Sequence, residues 1–382
     1  MSVIYFSAAA VLLLYAIFLL VPAFYFTFSS QRNTEEFLPQ NFISVILPVR
    51  NEEKNIAVCL ESLDALDYPK SLYEIILVND HSTDRTKAIA EQFSKLMPNL
   101  RLLDNLPGSQ GKKAAITLGI KTAKGNFIAT TDGDCIVPEE WLTNIAEAFE
   151  IRRAVFIAGP VAYKKRFQLF RDVLQIEQVV MQIVSAGAMN MGFPLMCSGA
   201  NLAYTKQFFI DSGGYEHDRF VSGDDMMLML KTKQLKKDKV HFITKKNSIV
   251  RTNPATGFSE AIQQRSRWIS KFSAYRSGVT GIVGVLVFLA NFMLPLLALI
   301  SLWSGPVFGV FLTALAGKML VDLLLLSLAV PFFREPRLLL LAPSGEVFYS
   351  ILALITTCAR CTGSFSWKGR KWPQTPLEKP ES

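Results

Sequence analysis

Two carboxylates separated by one glycine, Asp132-Gly133-Asp134, follow the apolar, β-branched run Phe127 to Thr131. That run reads as a short buried strand. Open α/β sheets place their ligands at the carboxyl ends of such strands. Gly133 lacks a Cβ, so the backbone is expected to turn there and let both carboxylates face one point. Two hard oxygen ligands facing one point suit Mg²⁺ or Mn²⁺, ions that share their coordination with phosphates. A solvated turn is the plain alternative, because a bare D-x-D recurs by chance.

Other acidic residues fall at comparable places. Asp80 follows the strand expected at Tyr73 to Val78, and Asp224-Asp225 open a helical pattern carrying Met226, Met227, Leu228 and Leu230. In a parallel sheet the strand ends converge on one edge. Carboxylates gathered there repel one another unless a cation or a hydrogen-bonding ligand joins them. A metal with a nucleotide diphosphate supplies both cation and anion. Lys112, Arg267 and the helix N-termini are placed to balance the phosphates. The plain alternatives are helix capping by Asp80, Asp84 and Asp224, interface anchoring by Arg267 and Trp268, and solvated loop positions for His81 and His217.

The elements that would position these residues alternate regularly. Strands are expected at Phe42–Leu47, Tyr73–Val78, Leu100–Leu103, Phe127–Thr131 and Ala154–Pro160. Helices are expected at Glu52–Leu66, Thr83–Met97, Lys112–Ala123 and Pro138–Phe149. The β-α-β-α order argues for an α/β fold, a mainly parallel sheet with helices on both faces. Phe167–Met191 reads as a long helix over the substrate cleft. Gly257–Arg276 reads as a basic amphipathic helix able to lie in a membrane interface.

Two regions are too apolar for such a domain. Val3–Phe28 carries no charge and is long enough to cross a bilayer core of about 30 Å. Ser277–Gly317 is also uncharged, with a break at Ser304-Gly305-Pro306 that divides the region into spans at about 279–302 and 307–331. The expected organisation is an N-terminal transmembrane helix at 1–30 and a cytoplasmic catalytic domain at 40–256. An interface helix at 257–276 follows, then a transmembrane pair at 277–331. A re-entrant or interfacial segment at 332–366 and a cytoplasmic tail at 367–382 complete it. Lys/Arg placement orients it so that the catalytic domain faces the cytoplasm. Lys318 and Asp322 lie four residues apart inside a span. They are either a structural pair or a functional intramembrane site.

Composition agrees. Half of the 382 residues are hydrophobic, and 40 Lys+Arg against 32 Asp+Glu give +8. With no nucleic-acid motif present, the basic balance points to a membrane surface or an anionic substrate. Five scattered cysteines show no disulfide framework, and Cys358-Ala359-Arg360-Cys361 lacks the second pair a zinc site needs.

Seven segments occur in order: Pro48-Val49-Arg50-Asn51-Glu52-Glu53, Val78-Asn79-Asp80-His81-Ser82-Thr83-Asp84, Gly111-Lys112, Asp132-Gly133-Asp134, Gly199-Ala200-Asn201, Gly223-Asp224-Asp225 and Gln264-Arg265-Ser266-Arg267-Trp268. The series, covering about 42–276, resembles that of family 2 glycosyltransferases with the GT-A fold. The Q-x-x-R-W element is similar to that of the membrane branch, which includes cellulose and hyaluronan synthases, poly-N-acetylglucosamine synthases and ceramide glucosyltransferase.

The resemblance implies roles. Asp80 would bond a nucleotide base, with Pro48 and Glu52 near the uridine. Asp132 would face the ribose and diphosphate, and Asp134 would hold Mg²⁺ or Mn²⁺. Asp225, or Asp224 beside it, would be the general base. Asn201, Gln264, Arg267 and Trp268 would serve the diphosphate and acceptor. Asn79 stands where the family has an aspartate, and Asp224 where it has a glutamate. The expected activity is inverting transfer from a nucleotide-diphosphate sugar, UDP-linked, to a lipid or lipid-linked acceptor at the cell membrane. A processive polysaccharide synthase and a non-catalytic nucleotide-sugar-binding module are the alternatives.

Overall fold

The structure is a computed structural model. It describes residues 2–29, 37–165, 168–216, 223–269, 278–359, 364–367 and 370–373. His217, Ser222, Cys361 and the basic helix beyond Ile269 lie outside the described residues. The chain divides into two units. One comprises Ser29–Lys164, Met196–Asn253 and Ser366–Ser382; the other comprises Met1–Phe28, Lys165–Leu195 and Pro254–Phe365.

The first unit is built on a seven-stranded sheet of order β3-β2-β1-β4-β7-β5-β8. Its strands are β1 (Ile43–Val49), β2 (Tyr73–Asn79), β3 (Leu100–Asp104), β4 (Phe127–Thr130), β5 (Phe156–Ala158), β7 (Leu202–Thr205) and β8 (Val240–Phe242). Strands β6 (Val161–Tyr163) and β9 (Val250–Thr252) pair separately. The crossover helices are α2 (Ile56–Asp64), α3 (Thr86–Leu96), α4 (Lys112–Thr122) and α5 (Trp141–Glu150). Every residue of β1 and β2 is buried. That is why both strands are mostly apolar, the mark of parallel strands covered on both faces, with buried Ser44 donating to buried Glu74 at 2.8 Å.

The β1–β2, β1–β4 and β2–β3 pairings are parallel, as the alternation predicts. Strand β7 departs from that pattern: it runs antiparallel to both β4 and β5. The β1–β4 ladder ends at Ile46 opposite Thr130. The Ile46 carbonyl accepts from Thr131 N on that side. Pro48, two residues on, would point its missing N–H past the end of the ladder, so it costs no bond there.

The second unit is helical. It contains α1 (Ser2–Ser29), α6 (Leu169–Asn190), α9 (Phe258–Ile269), α10 (Val279–Ser301), α11 (Gly305–Phe333) and α12 (Ala342–Ala359). In the first unit, α7 (Lys206–Asp211) and α8 (Asp224–Lys231) complete the set. Pro306 sits in the first turn of α11, where its lack of N–H is harmless. Helix α6, expected to cover a cleft, packs here against α11 and α12.

Among the described residues, four helices are long and apolar enough to cross a membrane: Ser2–Phe28, Val279–Ser301, Gly305–Phe333 and Pro336–Thr356. The last coincides with the segment expected to be re-entrant or interfacial. It forms a 3-10 turn at Pro336–Leu341 that runs straight into α12.

Lys318 and Asp322 do pair, at 2.8 Å, and two further partners join them. Lys318 Nζ also lies 2.7 Å from Glu346 Oε1 of α12, and Tyr15 of α1 donates its hydroxyl to Asp322 Oδ1 at 2.6 Å. Lys318 is 2% exposed. One ammonium thus joins α1, α11 and α12 inside an apolar bundle.

Toward the other helices, Arg337 pairs with Asp172 of α6 at 2.9 Å and with Glu335 at 3.5 Å. Buried Arg265 pairs with Glu177 of α6, and its guanidinium lies 5.7 Å from the Trp268 ring centroid. Tyr349 of α12 reaches into α6. Its hydroxyl accepts from Glu177 N at 3.2 Å and donates to Val173 O, so it is inserted into the helix's own ladder.

Candidate active site

The acidic residues expected at the sheet edge come from three places. Asp80 follows β2, Asp132 and Asp134 follow β4, and Asp224 and Asp225 open α8. Gly223 supplies the left-handed residue before that helix, with φ 87°. Two acidic residues in the first turn of α8 suit the positive end of its dipole.

Lys112 joins the groups. Its Nζ lies 2.6 Å from Asp132 Oδ1 and 3.3 Å from Asp224 Oδ2. Burial works against its charge, but the attraction of Asp132, Asp224 and Asp225 prevails and holds the ammonium well above its ordinary pKa. Asp132 is lifted above the usual carboxylate range, first by burial and then by Asp134, with Lys112 acting in the opposite sense.

Gly199 sits beside this ion pair. A Cβ there would stand 2.8 Å from Lys112 Nζ and 3.0 Å from Asp224 Oδ2. Its amide donates to Asp225 Oδ2 at 3.1 Å, while Met226 N donates to Asp225 Oδ1 at 2.7 Å. Both Asp225 oxygens are therefore oriented by backbone. The motif segment containing Gly199 signalled its place, but nothing in the sequence signalled this role.

Asp132 and Asp134 fit a divalent ion. One ligand atom from each, with Cys135 Sγ, all lie within 4.8 Å of one another. Burial, then Asp134 and Asp132, push the Cys135 thiol well above its usual pKa. The remaining donors are hard carboxylate oxygens, the set that Mg²⁺ and Mn²⁺ take. Thr252, at the end of β9, donates its hydroxyl to Asp134 Oδ2 at 3.1 Å, and the Cys59 thiol donates to Asp132 O at 3.6 Å. Sequence reasoning missed Thr252, because the pairing of β6 with β9 that delivers it leaves no motif.

The chain turns at Gly133 as expected, with Cys135 N donating to Asp132 O at 3.0 Å. The Gly133 φ is not in the left-handed region. A Cβ there would instead stand 2.9 Å from Val49 Cγ1 and 3.1 Å from Glu52 Cγ. The glycine lets the D-x-D turn lie against the loop after β1. In that loop Glu52 is buried, accepts from Asn55 Nδ2 at 2.8 Å and donates its amide to Thr86 Oγ1 at 2.7 Å.

Asp80 is 3% exposed and bonds to the chain itself. Gly111 N donates to both its oxygens at 3.0 Å, and Asn105 Nδ2 to Oδ1 at 3.0 Å. It thus fixes the 105–111 loop that leads into Lys112. Asp84 is not the N-cap of α3, which is Arg85; it accepts from Thr86 N at 3.0 Å and Glu53 N at 3.1 Å in the turn before the helix.

Asn201, which the resemblance implied would serve the diphosphate and acceptor, bonds to the chain itself. It is 1% exposed, and its amide donates to Pro160 O and Ser248 O, each at 2.9 Å. Its carbonyl accepts from Trp141 Nε1 at 2.9 Å. These bonds clip three segments of the core together and leave no N–H for a ligand. Asn201→Ala is expected to cost about 3 kcal/mol, since three buried partners lose their bonds. Thermal unfolding of the full chain reads this loss. A raised donor KM at unchanged stability would instead restore Asn201 to the ligand site. Gln264, Arg267 and Trp268 lie on α9 of the helical unit.

The sheet order, the acidic edge and the antiparallel β7 define a GT-A-type glycosyltransferase fold. The mannosyltransferase PcManGT of Pyrobaculum calidifontis, solved in complex with GDP-Man and Mn²⁺, shares the fold. Its TM-score is 0.55 at 18% identity, covering 93% of this chain and 99% of that one. Residues 44–211 match the family model for glycosyl transferase family 2.

Glycosyltransferase AglE of Haloferax volcanii is 28% identical over 234 residues, 59% of this chain and 71% of that protein. A beta-monoglucosyldiacylglycerol synthase of Synechocystis is 31% identical over 113 residues, and a dolichyl-linked glucuronosyltransferase of Methanococcus voltae is 35% identical over 112. These two matches cover 29% of this chain each, and only 24% and 34% of the relatives.

Proposed function

We propose that the protein is a membrane-bound inverting glycosyltransferase. It moves a sugar from a nucleotide-diphosphate donor, UDP-linked, to a lipid or lipid-linked acceptor and forms a β-glycoside. One observation carries this reading. Lys112 holds the carboxylate pair suited to a metal–diphosphate and the carboxylates of α8 around a single ammonium. Relatives named for diacylglycerol and dolichyl acceptors support the acceptor class, as do the apolar helices of the second unit.

Asp132 and Asp134 would hold a divalent ion, which neutralises charge on the departing diphosphate. Lys112 adds a second positive charge on that side. Asp225, held by the Gly199 and Met226 amides, accepts the proton of the acceptor hydroxyl. The acceptor oxygen bonds to the anomeric carbon as the bond to the diphosphate oxygen breaks. A single displacement of this kind inverts the centre. The Gln264, Arg267 and Trp268 spacing supports diphosphate and acceptor contacts for α9. The catalytic unit faces the cytoplasm, where nucleotide sugars are made.

The product decides the acceptor class. Radiolabelled sugar from a panel of UDP- and GDP-linked donors, offered with membrane lipid extract, is expected to partition into organic solvent as a discrete glycolipid. Label retained as an aqueous, high-mass polymer would replace this reading with a processive synthase.

A further inference from the structure

Lys112 stands at a place where its own helix does not favour it. It is the first residue of α4, whose first turn holds no acidic residue, and the positive end of a helix dipole disfavours a cation. Its compensation comes from outside α4, from Asp132 on one side and Asp224 on the other. Gly199 leaves the space in which the ammonium lies between them. The arrangement is built around the charge of this one side chain.

We infer that Lys112 and the divalent ion compete for the Asp132 carboxylate, and that this competition makes metal binding conditional on the nucleotide. The inference rests on the donor-binding reading proposed above. An oxygen already accepting from an ammonium at 2.6 Å is a weaker ligand for a second cation, and two cations sharing one carboxylate repel. A nucleotide diphosphate brings negative charge that both cations can share. Lys112 is then drawn from Asp132 to the phosphates while Asp224 continues to tether it. The metal gains the freed oxygen. Metal and nucleotide therefore strengthen each other's binding by the same factor, as linkage requires. Lys112 acts as a positioning residue for the metal as well as a phosphate partner.

The test uses full-length protein in detergent, with free Mn²⁺ followed by electron paramagnetic resonance, with and without UDP. Lys112→Met and Lys112→Gln are each expected to bind Mn²⁺ alone about tenfold tighter than the unmodified chain, because a neighbouring positive charge has gone. In both variants the gain in Mn²⁺ affinity on adding UDP shrinks. Lys112→Arg keeps the charge and keeps the original dependence on UDP. Asp134→Ala abolishes tight Mn²⁺ binding in every background, which locates the ion. Equal or weaker Mn²⁺ binding by either folded neutral variant would overturn the inference, while Mn²⁺ binding by the unmodified chain with UDP would leave the donor reading standing. No Mn²⁺ bound by any of these proteins, UDP present, would overturn both.

Discussion

Asp225→Asn lowers sugar transfer by roughly 10²- to 10⁴-fold, the range that removal of a general base produces. Asparagine keeps the size of the side chain and one carbonyl oxygen. That oxygen can still accept from Gly199 N or Met226 N, the two amides that orient the carboxylate. The amide nitrogen cannot take a proton from an attacking hydroxyl. The fold survives and donor binding is kept, because Asp132, Asp134 and Lys112 are unchanged. Steady-state kinetics with nucleotide titrated separately distinguishes the effects: kcat falls while the nucleotide dissociation constant stays within a few-fold. Asp224→Asn behaves differently. Asp224 pairs with Lys112, so its loss disturbs the donor side and raises the donor KM. The reverse pattern would make Asp224 the base.

Lys318→Met destabilises the helical unit by about 3–5 kcal/mol, the cost of leaving buried charges without their partner. The ammonium contacts both Asp322 Oδ2 and Glu346 Oε1, at 2.8 and 2.7 Å. Without it two carboxyls remain among apolar helices, where ionised groups are costly. Thermal unfolding in detergent, followed by size exclusion, reads the loss. Adding Asp322→Asn and Glu346→Gln to Lys318→Met restores most of it, because no ionised group is then stranded. A Lys318→Met protein that unfolds with the unmodified chain would show that the cluster does not hold the helices.

The sequence disclosed what local pattern controls. Strands β1, β2 and β4 and helices α2 to α5 were legible because each of these strands is mostly apolar and buried and each helix carries one apolar stripe; β3, at the sheet edge, was legible from Leu100, Leu102 and Leu103. Asp132 and Asp134 were legible because a strand end followed by two spaced carboxylates is a local arrangement. Strand β7 was not, since four residues show no usable period and its antiparallel direction is set by neighbours β4 and β5. Glu346 as a partner of Lys318 depends on how α11 and α12 pack, which no spacing along the chain encodes. The bonds of Asn201 were not legible for a related reason. Its motif placed it correctly beside the site, but the contacts of Trp141, Pro160 and Ser248 that consume its amide come from distant segments. Gly133 was legible as the turn between the two carboxylates; its close packing against Val49 and Glu52 was not, because those contacts come from a distant loop.

The most direct test of a membrane glycosyltransferase is nucleoside diphosphate release by the purified full-length chain in detergent. UDP- and GDP-sugars are offered with membrane lipid extract and Mn²⁺ or Mg²⁺, with Asp225→Asn beside the unmodified protein. The account predicts release from one donor class that requires both the metal and the lipid extract and is lost with Asp225→Asn. Nucleotide bound in a metal-dependent way without release from any donor, or release undiminished in Asp225→Asn, would contradict it.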